Sequence, residues 1–392
     1  MPESKTIESS RGTAERHWAL AAAIAATAVF GLSVGQGVPL LSLVLEAHGT
    51  SAALNGLNAA GTFIGVIVGP LLAQRAVRAF GVRNFLLFCI ALDVVATGAL
   101  KVFDGIGPWF VLRALLGVIG SSLFTAGESW INLLASDAGR GRVIGLYAVG
   151  LSAGFGLGPL ILSVTGIAGW PPFVVNMAIS AAAALPLLGV GDRGRDLGRE
   201  RGGSPFAMFA RAPLIVLAVA IFGLYETALM ALLPIWGVRS GMSTSMAAAT
   251  LSAVYIGSIA LQLPVGWISD KLARIDVLRF CAAIGLLGAI LTTVAARLPA
   301  TQFALLFLWG GIAAGIYPLA LGMAGDRFQG GDLVAINAAM IIAYGIGGLA
   351  GPALGGIAMD MWNPRGLPAL FVVLFAALLL AALLPKRGLA LR

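Results

Sequence analysis

The chain has 392 residues, of which 59% are hydrophobic and only 11% are charged, and its mean hydropathy is +0.96. A soluble domain of this length needs much more polar surface, so the composition excludes a soluble globular protein and indicates a membrane protein. The formal charge of +8 does not indicate a nucleic-acid partner, because the basic residues lie in short loops between apolar runs.

Twelve apolar runs follow one another along the chain, each close to the roughly 20 residues that a helix needs to cross a bilayer. Their Gly and Ala content and the absence of polar alternation favour helices over the strands of a barrel. The predicted spans are residues 18–45, 51–73, 85–100, 109–134, 143–166, 170–189, 213–236, 246–268, 277–296, 302–324, 334–358 and 367–384. The predicted fold class is an all-α membrane protein with twelve transmembrane helices in two six-helix pseudo-symmetric halves.

The loops between the spans differ strongly in charge. Nearly all lysines and arginines of the loops lie on the side of the N-terminus, and such loops face the cytoplasm. Both termini are therefore predicted to be cytoplasmic, and the charged, glycine-rich segment between the sixth and seventh spans is typical of a linker. The predicted organisation is a cytoplasmic tail at 1–17, a six-helix half at 18–190, a cytoplasmic linker at 191–212, a second six-helix half at 213–385 and a cytoplasmic tail at 386–392.

Glycines recur in the fifth and eleventh spans, at matching places in the two halves. Small residues let helix backbones approach closely in lipid, where little hydrophobic drive joins helices. We expect close helix packing, with direct ligand contact as the alternative. The residues of this helix-packing motif are Gly145, Gly154, Gly158 and Pro159 in the first half, and Gly347, Gly351 and Pro352 in the second.

Several of these segments resemble motifs of the major facilitator superfamily. "RALLGVIG", with Arg113, is similar to the family's fourth-helix motif, and "GWISDKLAR", with Asp270, is similar to its gating-loop signature. "GESWINLL" and "GRGRVIGLY" resemble the YcaD-like bacterial branch. The resemblance implies alternating access, a cavity lined by the first, fourth, seventh and tenth helices, and the inner membrane of a bacterium. The family associates the fifth-helix motif with exporters.

The cytoplasmic loops hold candidate residues for a gate. The loop after the second span carries Arg78 where the signature has an aspartate, so Arg78 is predicted to pair with Asp332 at the start of the eleventh span. The alternative is that Arg78 is only a topology signal that meets lipid phosphate. The other predicted link joins Asp270 to Arg140 or Arg142, near Lys271 and Arg274.

Four charged residues lie well inside predicted spans. A lone arginine within the membrane needs a partner, so Asp93 and Arg113, at similar depths, are predicted to form a structural charge pair. Glu128 and Glu226 have no obvious partner in sequence and are the proton-coupling candidates, because burial disfavours the ionised form of a carboxyl group. The alternative is that each glutamate is permanently hydrogen-bonded to neighbouring helices.

Polar and aromatic residues on the presumed lining helices are candidates for the substrate cavity. The candidates are Gln36, Trp130, Asn132, Tyr225 and Tyr317, each of which has a packing role as its alternative. Arg113 is the basic residue at depth and is assigned to a pair, so a neutral or cationic amphipathic substrate is favoured over an anionic one. We expect no cofactor and no metal site, and the buried thiols of Cys89 and Cys281 indicate no disulfide.

The sequence thus predicts a secondary transporter, not an enzyme, with protons, a small molecule and the bilayer as its partners. Efflux by proton antiport is the first hypothesis, and uptake of a small organic solute by proton symport is the alternative. A phosphate-binding loop for ATP is not visible in the sequence. A non-transporting membrane sensor or scaffold is the third possibility, and we expect a monomer that binds no nucleic acid.

Overall fold

The structure is a computed structural model, and it describes residues 3–134, 140–191, 204–294 and 299–384. These residues form helices and connecting turns, without a strand among them. The helices are α1 Glu3–Ala47, α2 Ala52–Phe80, α3 Val82–Val102, α4 Ile106–Leu134, α5 Arg140–Thr165, α6 Pro171–Ala182, α7 Leu185–Leu188, α8 Pro205–Arg211, α9 Pro213–Arg239, α10 Thr244–Lys271, α11 Arg274–Val294, α12 Pro299–Ala313, α13 Ile316–Arg327, α14 Gly330–Met361 and α15 Gly366–Leu383.

Twelve helical stretches are long and apolar enough to cross a membrane, as the sequence predicts. The sixth span is divided between α6 and α7, and the tenth between α12 and α13. Helix α1 begins at Glu3 rather than at Trp18, so part of the predicted N-terminal tail is helical. Within the predicted linker, residues 192–203 lie outside the described residues and the short helix α8 follows them; the predicted C-terminal tail also lies outside.

The helices group into two compact units. The first comprises Met1–Thr50, Leu57–Arg199 and Thr244–Ser252, and the second comprises Ser51–Gly56, Glu200–Ser243 and Ala253–Arg392. Two short segments are therefore exchanged relative to a division at the linker. The start of α2, to Gly56, belongs by its contacts to the second unit, and the first nine residues of α10, Thr244–Ser252, belong to the first.

Glycines set an extensive, close helix contact of the first unit, between α1 and α5. A Cβ at Gly158 would meet the backbone of Leu32, Gly35 and Gln36, and a Cβ at Gly35 would lie 2.8 Å from the carbonyl oxygen of Phe155. Each helix thus uses glycine where the other helix's backbone lies. Such close contact supplies van der Waals packing, which holds helices together in lipid because the hydrophobic effect contributes little there.

The second unit repeats this arrangement between α9 and α14. A Cβ at Gly347 would meet the carbonyl of Ala220, and one at Gly351 would meet the carbonyl of Leu224. Among the glycines of the predicted motif, Gly154, Gly158, Gly347 and Gly351 therefore pack against a helix backbone, whereas a Cβ at Gly145 would have nothing within 4 Å.

The first turn of α2 is held on α14 by a carboxylate. The N–H groups of Ala52 and Ala53 donate to Asp360 Oδ1 and Oδ2 at 3.0 and 2.8 Å, and Arg239 Nη1 lies 3.4 Å from Oδ1. The first N–H groups of a helix lack partners within the helix and carry partial positive charge, so a carboxylate stabilises them. Sequence analysis gave Asp360 no role, because the N–H groups that it binds are more than 300 residues away.

Candidate functional site

Glu128 lies on α4 in the first unit and has a hydrogen-bond partner on α5. The Tyr147 hydroxyl donates to Glu128 Oε1 at 2.7 Å. Tyr147 is buried, whereas Glu128 remains exposed, so one side of the carboxylate is fixed by protein and the rest of it is accessible. The partner was not obvious in the sequence, because it lies 19 positions later and returns to Glu128 on the next helix.

Glu226 has the same kind of partner in the second unit. It lies on α9, and the Tyr344 hydroxyl on α14 donates to Glu226 Oε2 at 2.9 Å. Both carboxylates are thus held by a tyrosine of a glycine-rich helix, α5 for Glu128 and α14 for Glu226. Neither glutamate forms an ion pair with a basic residue whose side chain the structure describes. The single tyrosine in each of these two glycine-rich helices was a signal that sequence analysis missed.

Aromatic rings surround Glu226. Phe222 lies one turn before it, with ring centroids 5.7 Å from Tyr317 and 6.4 Å from Tyr344, and Tyr317 and Tyr344 are 6.3 Å apart. Tyr225 lies 6.5 Å from Phe222 and belongs to a second, adjoining cluster, with ring centroids 5.5 Å from Trp309 and 5.1 Å from Phe375. One face of α9 therefore presents a carboxylate among three rings, and another face fills the core.

Asp93 and Arg113 line one cavity inside the first unit, but they do not form the predicted charge pair. Ser180 Oγ donates to Asp93 Oδ2 at 2.6 Å, whereas Arg113 Nε and Nη2 have no hydrogen-bond partner in the described structure. Arg113 is only 2% exposed, and the cavity measures about 80 Å³, enough for several waters. The pair fails because α6 supplies Asp93 with a neutral donor.

Polar residues of α1 and α6 form the network around Asp93. Ser33 Oγ lies 2.6 Å from Ser180 Oγ, and Asn176 Nδ2 donates to the Ser33 carbonyl at 2.8 Å. Gln36 Nε2 donates to the Pro172 carbonyl at 3.0 Å, and Gln36 is fully buried. Asn176 and Ser180 are four residues apart, which puts both on one face of α6. That spacing was available in the sequence and was not used.

The predicted cavity residues have different outcomes. Gln36, Trp130 and Tyr225 are buried, at 0%, 0% and 3% exposed, which favours the packing alternative, and their place in a substrate cavity stays a prediction. Tyr317 is partly exposed, and its ring lies 6.3 Å from that of Tyr344, the partner of Glu226. The side chain of Asn132 lies outside the described residues. Sequence periodicity alone did not distinguish the inward face of each helix from its packed face.

Asp332, at the start of α14, is bound by Arg211. The predicted link from Arg78 to Asp332 stays a prediction. Arg211 Nη1 and Nη2 donate to Asp332 Oδ1 and Oδ2 at 3.0 and 2.7 Å. The hydrogen bonds and charge of Asp332 raise the pKa of the Arg211 guanidinium above its ordinary value. Helix α8 ends at Arg211 and brings the guanidinium to the first turn of α14 in a bidentate geometry that suits a carboxylate.

The remaining gate residues lie at the ends of α10 and α11. Arg274 Nε lies 2.9 Å from Asp326 Oδ2, and Lys271 Nζ lies 3.5 Å above the ring of Trp267. Asp270 and Arg78 are exposed. The side chains of Arg140 and Arg142 lie outside the described residues, so the link from Asp270 to either arginine stays a prediction.

The comparisons with known proteins decide the family. The family model of the Major Facilitator Superfamily matches residues 19–254 and 215–389. The chain belongs to this superfamily. It is 26% identical over 366 residues to the protein named "Uncharacterized MFS-type transporter YfkF" of Bacillus subtilis (strain 168), covering 91% of this chain and 93% of the relative. It is 26% identical to "Uncharacterized MFS-type transporter YcaD" of Salmonella enteritidis PT4, over 79% of this chain and 80% of that protein.

Solved structures agree on the fold of this superfamily member. The nucleoside transporter NupG matches with a TM-score of 0.76 and 11% identity, over 94% of this chain and 97% of that chain. The D-xylose–proton symporter matches with a TM-score of 0.72 and 16% identity, over 94% and 96% of the two chains. At these identities the likeness shows the fold alone. Family and fold together make the chain a multi-pass secondary transporter, consistent with a protein that is not an enzyme.

Proposed function

We propose that this transporter couples protons to the efflux of a neutral or cationic amphipathic small molecule by alternating access. The observation that carries the proposal is the pair of carboxylates at membrane depth, Glu128 and Glu226, each held by one tyrosine hydroxyl. Membrane-depth carboxylates are costly and usually serve function. A carboxylate that hydrogen-bonds on one side and stays accessible on the other exchanges a proton with its surroundings.

Glu128 is the group we assign to proton coupling. It is the more accessible of the two glutamates, because it is exposed while Glu226 is only partly so. Its hydrogen bond is made by a neutral hydroxyl, so no fixed positive charge locks it in the ionised form. The direction of transport rests on the glycine-rich fifth span, which the family associates with exporters. Residues 18–190 and 213–385 act as the two halves, in a monomer in the bacterial inner membrane with both termini cytoplasmic.

The test is transport by purified protein in liposomes with an imposed pH gradient. Neutral and cationic amphipathic compounds are screened, and net movement opposite to the proton flow identifies antiport, whereas movement with the protons identifies symport. Glu128→Gln keeps the shape of the side chain and a hydrogen-bond acceptor but cannot ionise. We expect it to abolish gradient-driven transport and to retain gradient-free exchange of labelled substrate.

Glu46→Gln is the matched control, since Glu46 lies at the end of α1 and the substitution is chemically the same. It should retain both transport modes. A stable Glu128→Gln protein that moves substrate against its gradient at the wild-type rate would refute the assignment. A structural glutamate would instead lose both modes together with folded yield.

A further inference from the structure

The tyrosines of this chain are distributed around its two membrane-depth glutamates. The chain has five tyrosines: Tyr147, Tyr225, Tyr255, Tyr317 and Tyr344. Tyr147 donates to Glu128, and the other four belong to the second unit. There Tyr344 donates to Glu226, and both Tyr225 and Tyr255 lie within electrostatic range of its carboxylate. Glu226 is therefore set among tyrosines, whereas the ring cluster one turn before Glu128 is made of the phenylalanines Phe30, Phe124 and Phe155.

The arrangement of rings follows from helix spacing. Phe222 and Glu226 are four residues apart and share one face of α9, on which α13 places Tyr317 and α14 places Tyr344. The three ring centroids are separated by 5.7, 6.3 and 6.4 Å, so they form a near-equilateral triangle. Glu226, Tyr317 and Tyr344 are partly exposed, whereas Phe222 is buried, at 7% exposed. We call these four residues the α9 aromatic site.

The chemistry of the site favours a cation. The faces of aromatic rings carry negative potential and attract ammonium groups, and Glu226 adds a full negative charge when it is ionised. A metal cation does not suit the site, because Ca²⁺ takes about 6 to 8 oxygen ligands and the site offers one carboxylate and hydroxyls. Aromatic rings also cannot take the place of the water molecules that a strongly hydrated metal ion loses on binding. They do match an organic cation whose charge is spread over carbon.

We propose that the α9 aromatic site binds the cationic group of the transported substrate, an organic monocation of the quaternary ammonium or phosphonium class. The inference rests on the proposed transport function and narrows its substrate. It also divides the two glutamates by role: Glu226 neutralises the substrate, and Glu128 carries the coupling proton.

The experiment measures binding of labelled tetraphenylphosphonium to purified protein, apart from transport. Tyr317→Leu removes a ring, and we expect the dissociation constant to rise roughly 2- to 30-fold, the range of one cation–π contact. Tyr317→Phe keeps the ring and should bind within about 2-fold of wild type. Glu226→Gln should weaken binding by about 10-fold or more, since it removes the attracting charge. Glu46→Gln controls for the substitution itself.

Melting temperatures of all variants show which ones are folded, and the Tyr317 pair keeps the test decisive if Glu226→Gln is unstable. Equal binding by wild type, Tyr317→Leu and folded Glu226→Gln would overturn the site. So would a wild-type protein that binds no tetraphenylphosphonium yet transports neutral compounds in the liposome assay. In that second case the transport proposal stands and only the substrate class is wrong.

Discussion

Replacing Gly158 by alanine tests how the first unit is assembled. Alanine is the better helix former, by about 0.8–1.0 kcal/mol, so the substitution is favourable in an isolated helix. In the structure the new Cβ would press on the backbone of Leu32, Gly35 and Gln36 on α1. Backbone atoms cannot rotate away as a side chain does, so α1 and α5 must separate.

The magnitude comes from a comparison within the same helix. Gly145 has nothing within 4 Å of an added Cβ, so Gly145→Ala gains the helix propensity without the clash. The gain in helix propensity is common to both variants, so the difference between their free energies of unfolding isolates the cost of overpacking, about 1–3 kcal/mol. At about 2 °C for each kcal/mol, the lower end of the usual range, Gly158→Ala should melt about 2–6 °C below Gly145→Ala.

The assay is thermal unfolding of the purified variants in one detergent, followed by intrinsic fluorescence and by loss of the monodisperse peak. Gly351→Ala repeats the test in the second unit, where the Cβ would meet Leu224 and Thr227. If Gly158→Ala melted within about 1 °C of Gly145→Ala, the helices would not be as closely packed as the structure places them, and the reasoning would fail.

Three further substitutions test individual contacts. Asp360→Ala removes the acceptor of two N–H groups of α2 and should lower the free energy of unfolding by about 1–2 kcal/mol, measured as a lower melting temperature. Asp104→Ala is the control, because the contacts of Asp104 with His48 and Lys101 are both 3.9 Å long and exposed to solvent. An equal effect of the two substitutions would contradict the capping role of Asp360. Tyr147→Phe should cost about 0.5–1.5 kcal/mol in the wild type and almost nothing in a Glu128→Ala background, so additivity in this double-mutant cycle would refute the hydrogen bond. Gly322→Ala should displace Arg274, whose guanidinium fills the space of the missing Cβ, and so break the 2.9 Å contact between Arg274 and Asp326. An unchanged melting temperature and an unchanged salt dependence of transport would argue against this position of the Arg274 guanidinium.

The sequence by itself determined the twelve spans, the packing glycines of the fifth and eleventh spans and the depth of Glu128 and Glu226. These properties follow from short stretches of chain: hydropathy is a sum over neighbouring residues, and depth is a position along a helix. The resemblance to family motifs indicated the fold, because "RALLGVIG" and "GWISDKLAR" lie on those spans in the order that the family has.

Only the tertiary structure decided which groups meet. Depth alone suggested Asp93 with Arg113, but the rotation of α6 brings Ser180 to the aspartate and leaves two guanidinium nitrogens of the arginine without partners. At Asp332 the path of the chain through α8 brings in Arg211, a partner that the charges along the sequence did not indicate. A partner depends on the angle at which each helix faces its neighbours, and residues one position apart differ in that angle by about 100°. The pattern of one helix does not contain the rotation of the next, so hydrogen bonds such as Tyr344 to Glu226 emerge only when the helices are packed together.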